Sequence, residues 1–189
     1  MKEFFVMEYD ALLKLLNSRT SCRSYDKGEV TDDLIDQCLE AARLAPSACN
    51  KQPWRFVVVK DPKLRQAICE RGLLPGLPMP WTKQAPVIIA LCTVKSMVVH
   101  TFAPLLSGVN YPLVDAGIAG EHLVLAAESL GLGSCWIGWF REKQIKKILN
   151  IPRSTKIVSL FTLGYPAERT EPSKRFSLAD ITYRERWQK

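Results

Sequence analysis

Arg19-Thr-Ser-Cys-Arg-Ser-Tyr25 and, further along, Ala45-Pro-Ser-Ala-Cys-Asn-Lys-Gln-Pro-Trp-Arg-Phe56 are the two stretches on which the reading of this chain turns. In an extended backbone, side chains two apart point the same way, so an extended first stretch puts Arg19, Ser21 and Arg23 on one face. Two guanidinium groups and a hydroxyl on one face suit a phosphate. Each guanidinium offers a planar, charge-assisted fork, and the hydroxyl adds a short hydrogen bond. The preceding Tyr9 to Ser18 carries Leu12, Leu13, Leu15 and Leu16 in a helical pattern. The arginine stretch therefore falls on a connection, where that helix ends.

Working outward, Thr31 is a good N-cap for a helix from Asp32 to about Leu44, with acids in its first turn and Leu34, Ile35, Cys38, Leu39 and Ala42 on one face. It stops at Ala45-Pro46, because the residue before proline resists helical geometry. Ser47 and Asn50 suit a turn after Pro46, a reading that accounts for Ser47 better than for the longer run Asn50-Lys-Gln52-Pro53-Trp54. Arg55 to Lys60 reads as a buried strand, and Asp61-Pro62 starts a short helix through about Arg71. Gly72 to Pro80, with two glycines and three prolines, reads as a loop.

Pro86 to Val94 is a second strand and Val98 to Asn110 a candidate mobile segment. Tyr111 to Leu130 is the longest helical pattern, ended by Gly131 as a left-handed cap. Ser134 to Trp139 reads as a strand, Arg141 to Asn150 as a helix, and Lys156 to Leu163 as a fourth strand, before a polar tail from Ala167 with few core candidates. The alternation alone admits a parallel, doubly wound sheet. No dinucleotide fingerprint accompanies it, since Gly131-Leu-Gly133 follows a helix and precedes a strand.

With 189 residues, 47% of them hydrophobic, the chain is expected to form one domain over residues 1–189. The net charge of +7 comes from 26 basic and 19 acidic residues. The basic residues are dispersed, without a nucleic-acid recognition motif, so sockets for anionic cofactors explain them better than nucleic acid does. No apolar stretch approaches the roughly 18 to 20 residues of a membrane span, and no membrane association is expected. The N-terminus acquires acidic residues at once, without a long apolar region ending in a small-residue cleavage site, so export is not expected. Six cysteines without Cys-x-x-Cys spacing and only two histidines, His100 and His122, point to a reduced, cytoplasmic protein without a metal site. Cys135 beside Gly133-Ser134 invites a nucleophile reading, which requires nearby positive charge to lower its pKa.

Four segments in order carry a resemblance: the arginine-serine-arginine stretch, Pro46 to Trp54, Leu130-Gly-Leu-Gly-Ser-Cys-Trp-Ile-Gly138 after a long helix, and Leu163-Gly-Tyr-Pro166 followed by Lys174-Arg175. Together they resemble the nitroreductase family of flavin mononucleotide (FMN) enzymes over nearly the whole chain. The resemblance implies an α+β fold with a central, largely antiparallel sheet flanked by helices, built as an intertwined homodimer with FMN at the subunit interface. It implies that Arg19, Thr20 and Ser21 hold the FMN phosphate, with Lys174 or Arg175 approaching from the C-terminal side. By the same resemblance Arg23 faces the N1 and C2 carbonyl edge of the ring. Pro46, Ser47 and Asn50 come from the other subunit, and Cys135, Trp136, Ile137 and Gly138 pack along the remaining ring face. Two departures from the family pattern bear on the pocket: the loop before the second strand carries Trp81 and no asparagine, and Glu121 stands where relatives often have an amide.

The activity so implied is oxidation of NADH or NADPH, with electrons passed through FMN to a nitroaromatic, quinone or similar acceptor in a ping-pong scheme. A relative that fragments flavin or removes halide, and a flavin-binding protein without turnover, are the alternatives.

Overall fold

The computed structural model describes residues 8–94 and 108–187. Most of the candidate mobile segment, 98–107, lies outside the described residues. Helix α1 (Tyr9–Ser18) leads into the arginine stretch, and α2 (Asp32–Arg43) follows it. The Thr31 hydroxyl accepts the Leu34 N–H, and Val30 and Ile35 flank this cap in the same core cluster. That placement is a hydrophobic staple, which fixes the angle at which the chain enters the helix. Ile35, Cys38 and Ala42 are the buried face, as the spacing predicts.

The central sheet has β1 (Trp54–Val59), β2 (Val87–Thr93), β3 (Gly133–Ile137) and β4 (Lys156–Gly164), in spatial order β1-β2-β4-β3. All three pairings are antiparallel. The parallel, doubly wound arrangement that the alternation admits is thus overturned, and the register shows why. Val59 at the end of β1 pairs with Ile88 at the start of β2, so residues 60–86 leave and re-enter the sheet at one end. Helix α3 (Pro62–Ala67) makes only the outward part of that excursion. The same holds for α5 (Glu142–Leu149), between β3 and β4, where Ile137 pairs with Leu160. Only α4 (Tyr111–Ser129) leads between parallel strands, β2 and β3, and β4 is inserted between them.

Strand β2 is buried on both faces. Its odd residues Val87, Ile89 and Leu91 join Phe161 and Leu163 under α2 and α4. The even residues Ile88, Ala90 and Cys92 join Ile145, Ile157 and Leu160 on the opposite side. Full burial of such aliphatic side chains contributes about 1.5–3 kcal/mol each, and this doubly covered strand anchors the rest.

Three expected elements differ in detail. The helix after Asp61 is α-helical only to Ala67 and widens into a π turn over Ile68–Gly72, where it meets Ile145 of α5. Strand β3 ends at Ile137, so Gly138 and Trp139 leave the sheet. The tail contains a one-turn helix, α6 (Leu178–Ile181), and exposed Phe176 and Trp187. At the C-terminus of α4, Gly131 has φ +76° and the Leu132 N–H reaches the Ala127 carbonyl at 2.8 Å. This Schellman closure turns the chain directly into β3. No helix among the described residues is long and apolar enough to cross a membrane.

Glu142 ties α5 to the start of β4: its carboxylate accepts from Lys156 Nζ at 2.6 Å, Lys146 Nζ at 2.9 Å and the Ile157 N–H at 3.1 Å. Burial works to raise this carboxyl, but the two lysines and the amide outweigh it and hold it at about 2, against an ordinary 4.5. A depressed carboxyl pKa stabilises the fold above the unfolded value and loses that stabilisation as pH falls through the folded one. Glu142→Gln is therefore expected to cost about 1 kcal/mol at neutral pH, the scale of ion pairs that water reaches. Urea denaturation of the variant should also lose part of the wild-type decline in stability between pH about 4.5 and about 2.

Candidate functional site

The arginine stretch is extended, as the alternating reading requires, and lies against the start of β3. Ser21 bridges Ser134 in parallel, and the Cys22 N–H donates to the Ser134 carbonyl at 2.9 Å. Cys22 points inward and is buried, whereas Ser21 is half-buried and Arg23 exposed. Close approach depends on Gly133, where a Cβ would lie 2.7 Å from Cys22 Sγ. Tyr25 fixes the far end of the stretch. Its buried hydroxyl donates to the Cys22 carbonyl at 3.1 Å and lies 2.7 Å from Thr162 Oγ1, while the backbone pairs with Tyr165 through Asp26 at 2.9 Å. Burial pushes the Tyr25 phenol well above its ordinary pKa, so it stays neutral and serves as an anchor.

Arg19 and Arg23 stand near enough to Cys135 to act on its thiol. Burial raises that thiol, and Arg23, the Ser21 hydroxyl and Arg19 work against the rise without reversing it. A thiol held up by burial is no activated nucleophile, which removes the nucleophile reading of Cys135. Neither guanidinium has a carboxylate partner among the described residues. Two cations without a carboxylate partner among the described residues, on the same extended stretch as the Ser21 hydroxyl, form a donor set suited to a phosphomonoester.

The C-terminal tail reaches this stretch through two hydrogen bonds among the described residues, the Ala167 N–H to the Ser24 carbonyl at 3.0 Å and Thr170 Oγ1 to Thr20 Oγ1 at 3.1 Å, backed by the Arg169–Glu128 ion pair at 2.6 Å. Lys174 and Arg175 follow in exposed chain, where among the described residues Arg175 donates to the neighbouring Ser173 and Lys174 carbonyls. On β3, Trp136 packs edge-on against Phe161 at 4.5 Å between centroids and leaves 37% of its surface exposed. Ile137 is buried in the core on the opposite face of the sheet, and Gly138 opens onto free space. Trp81 instead packs against Cys22, Tyr25 and Ala85, supporting the arginine stretch from inside. His122 bonds the Ala41 carbonyl at 3.2 Å, a structural tie between α4 and α2.

Pro46, Ser47 and Asn50 form a separate group. The chain makes a 3-10 turn over Ala48–Asn50 in which Cys49 and Asn50 have φ 50° and 52°, and Gln52 follows at 46°. Ser47 Oγ accepts the Gln52 N–H at 2.9 Å, and Gln52 Nε2 donates to Asn50 Oδ1 at 2.9 Å. Asp115 of α4 accepts the Ala48 N–H at 3.0 Å. Within one chain no hydrogen bond or ion pair among the described residues joins this turn to the arginine stretch. Sequence reasoning missed Asp115, an acid on the small-residue face of α4, and Thr170, 150 positions from its partner. A buried acid flanked by apolar helix positions was the one available signal for the former.

A cleft of about 870 Å³ lined by Lys143, Lys146, Lys147 and Arg153 shares no residue with either group. Among the described residues no group of three or more His, Cys, Asp or Glu is placed to hold a metal ion.

The fold is an α+β scaffold built on a four-stranded antiparallel sheet, and comparison with known proteins assigns its family. The chain belongs to the nitroreductase family, whose model matches residues 16–75 and 73–165. It is 34% identical over 184 residues to a putative NADH dehydrogenase/NAD(P)H nitroreductase of Archaeoglobus fulgidus, covering 93% of this chain and 98% of that one. An FMN reductase [NAD(P)H] of Bacillus subtilis is 32% identical over 186 residues, covering 92% of this chain and 73% of that one. Among solved structures, a hypothetical oxidoreductase of Bacillus subtilis superposes with a TM-score of 0.82 at 29% identity, over 94% of this chain and 75% of that one.

Proposed function

We propose that this protein is an FMN-dependent oxidoreductase that takes electrons from NADH or NADPH and delivers them, in separate half-reactions, to electron-poor acceptors such as nitroaromatics or quinones. The observation that carries this reading is the pair Arg19 and Arg23, unpaired within the described chain and held beside Ser134 and Cys135 on one extended stretch. Relatives named as an FMN reductase and an NAD(P)H nitroreductase support the cofactor and the electron donor.

On this reading Arg19, Thr20 and Ser21 hold the FMN phosphate, and Lys174 or Arg175 closes over it, brought near by the Thr20–Thr170 bond. Arg23 presents a fixed cation to the N1 and C2 carbonyl edge, where negative charge develops on reduction. Cys135, Trp136, Ile137 and Gly138 line the ring, with the exposed face of Trp136 and the open side of Gly138 available to it. Pro46, Ser47 and Asn50 belong to the site of a second copy of the chain. Exposed Tyr9 and Leu16 on α1 and Leu113 and Val114 on α4 support this, as apolar surface that a homodimer would cover.

The flavin, when bound, supplies hydride acceptance from the nicotinamide and electron release to the acceptor. The chain binds, orients and balances charge, and the scheme asks for no side-chain acid or base. The test is to reduce flavin-loaded protein anaerobically, remove the nicotinamide, and add a quinone. Reoxidation in that second step is expected; turnover only when both substrates are present together would contradict the separate half-reactions.

A further inference from the structure

Helix α5 carries Lys143, Lys146 and Lys147 on one face, at the spacing i, i+3 and i+4, while Ile145 and Ile148 on its other face pack into the core. With Arg153 of the following loop, the three lysines line a cleft of about 870 Å³ that no acidic side chain lines. That volume falls within the range of small-molecule sites. The walls of the cleft are tied together. Asn150 reverses the chain in a left-handed conformation (φ 52°), the Ile151 N–H donates to the Lys146 carbonyl at 2.9 Å, and Lys146 Nζ donates to the Arg153 carbonyl at 3.1 Å. A ligand therefore meets a loop and a helix already held in place, which lowers the entropic cost of binding.

Charge around this cleft is uncompensated. Glu142, the nearest acid in sequence, is engaged by Lys146, Lys156 and the Ile157 N–H. Lys143, Lys147 and Arg153 are exposed and make no ion pair among the described residues. Lys143 and Lys147 are also like charges at i, i+4, a pairing that destabilises a helix. The macrodipole offsets the repulsion for Lys147 in the last turn and works against Lys143 in the first. Helix stability thus accounts for part of this stripe and not for the whole of it.

We infer that this cleft binds an oligophosphate, the run of linked phosphates shared by inorganic tripolyphosphate and nucleoside triphosphates. Lys143 and Lys147 stand four residues, about 6 Å, apart along the helix axis, and linked phosphates place several negative charges within such a length. Each lysine meets phosphate as a point charge, and the Arg153 guanidinium adds a planar fork to two oxygens of one group. A single phosphomonoester would leave part of the positive charge unmatched. The cleft shares no residue with the Arg19–Arg23 stretch, so the inference stands apart from the flavin reading.

The experiment is calorimetric titration of the FMN-loaded protein with tripolyphosphate, and with ATP without added metal, at low and high ionic strength. Saturable binding that weakens with salt is expected. Tighter binding of ATP assigns the site to a nucleotide, and equal or tighter binding of tripolyphosphate assigns it to the phosphate chain alone. The triple variant Lys143→Gln, Lys147→Gln, Arg153→Gln is expected to bind at least about tenfold more weakly, since three exposed charge contacts multiply to that scale. Lys14→Gln, Lys63→Gln, Arg71→Gln removes the same charge from exposed positions outside the cleft and is expected to keep wild-type affinity within about threefold. Should the first triple variant fail to fold, Arg153→Gln alone decides, with about threefold weaker binding expected.

Absence of saturable binding at low ionic strength, equal loss in both triple variants, or wild-type affinity in Arg153→Gln when it decides would overturn the inference. Displacement of tripolyphosphate by FMN would overturn it too, by placing the ligand at the arginine stretch. A protein that takes up no FMN would contradict the flavin reading and leave the same titration, run without flavin, to decide this one.

Discussion

Arg19→Ala is expected to weaken FMN binding about 10- to 100-fold while leaving the thermal stability of the flavin-free protein unchanged. A hydrogen bond to an ionised group contributes about 1.5–3 kcal/mol, and every 1.4 kcal/mol is roughly a factor of ten in affinity. The second half of the expectation follows from the pairing of this arginine. It makes no ion pair among the described residues, so its removal orphans no carboxylate. The backbone of the stretch is held independently by Ser134 and Tyr165, and the Tyr25 side chain by Thr162. Titration of the flavin-free protein with FMN at two ionic strengths checks both parts, since loss of a phosphate-facing cation also reduces the salt dependence. Wild-type affinity in the variant would remove Arg19 from the phosphate site.

Arg23→Ala is expected to act on rate more than on binding. A preorganised donor aimed at developing charge typically contributes 10²–10³-fold, so reduction of bound FMN by NADPH should slow by about that factor. Arg23 is exposed, and Cys22 and Tyr25 on either side carry the anchoring contacts, so the fold should survive the change. Arg23→Lys keeps the charge but not the fork and should recover part of the rate. Stopped-flow absorbance under anaerobic conditions separates the two effects. Equal reduction rates in wild type and Arg23→Ala would contradict the charge-stabilising role.

How far the sequence carried these conclusions depends on the range of the interactions involved. Local chemistry was legible: Thr31 caps α2, Asp61 caps α3 through Leu64 at 2.8 Å, and Gly131 closes α4. The alternation in residues 19–23 was legible for the same reason, because it needs only an extended backbone. Strand order was not. Whether residues 60–86 cross the sheet or return to the same end is decided by the pairing of Val59 with Ile88, which no local pattern encodes. The widening at Ile68–Gly72 likewise reflects packing against Ile145 on another helix. Within the site, Asp115 and the left-handed conformations of Cys49 and Gln52 escaped notice, since the first is one acid in a helical pattern and the others are residue types that rarely adopt φ > 0. Assignment of Pro46, Ser47 and Asn50 to a second copy came from the family resemblance alone. The structure adds that the turn is rigidly held.

The central claim is that a flavin bound at Arg19–Arg23 is reduced by a nicotinamide, and the visible spectrum of FMN-loaded protein under anaerobic addition of NADH or NADPH tests it most directly. The account predicts a yellow protein whose flavin bands bleach on addition of one or both nicotinamides. A protein that takes up no FMN, or whose bound flavin keeps its colour with both, would contradict it.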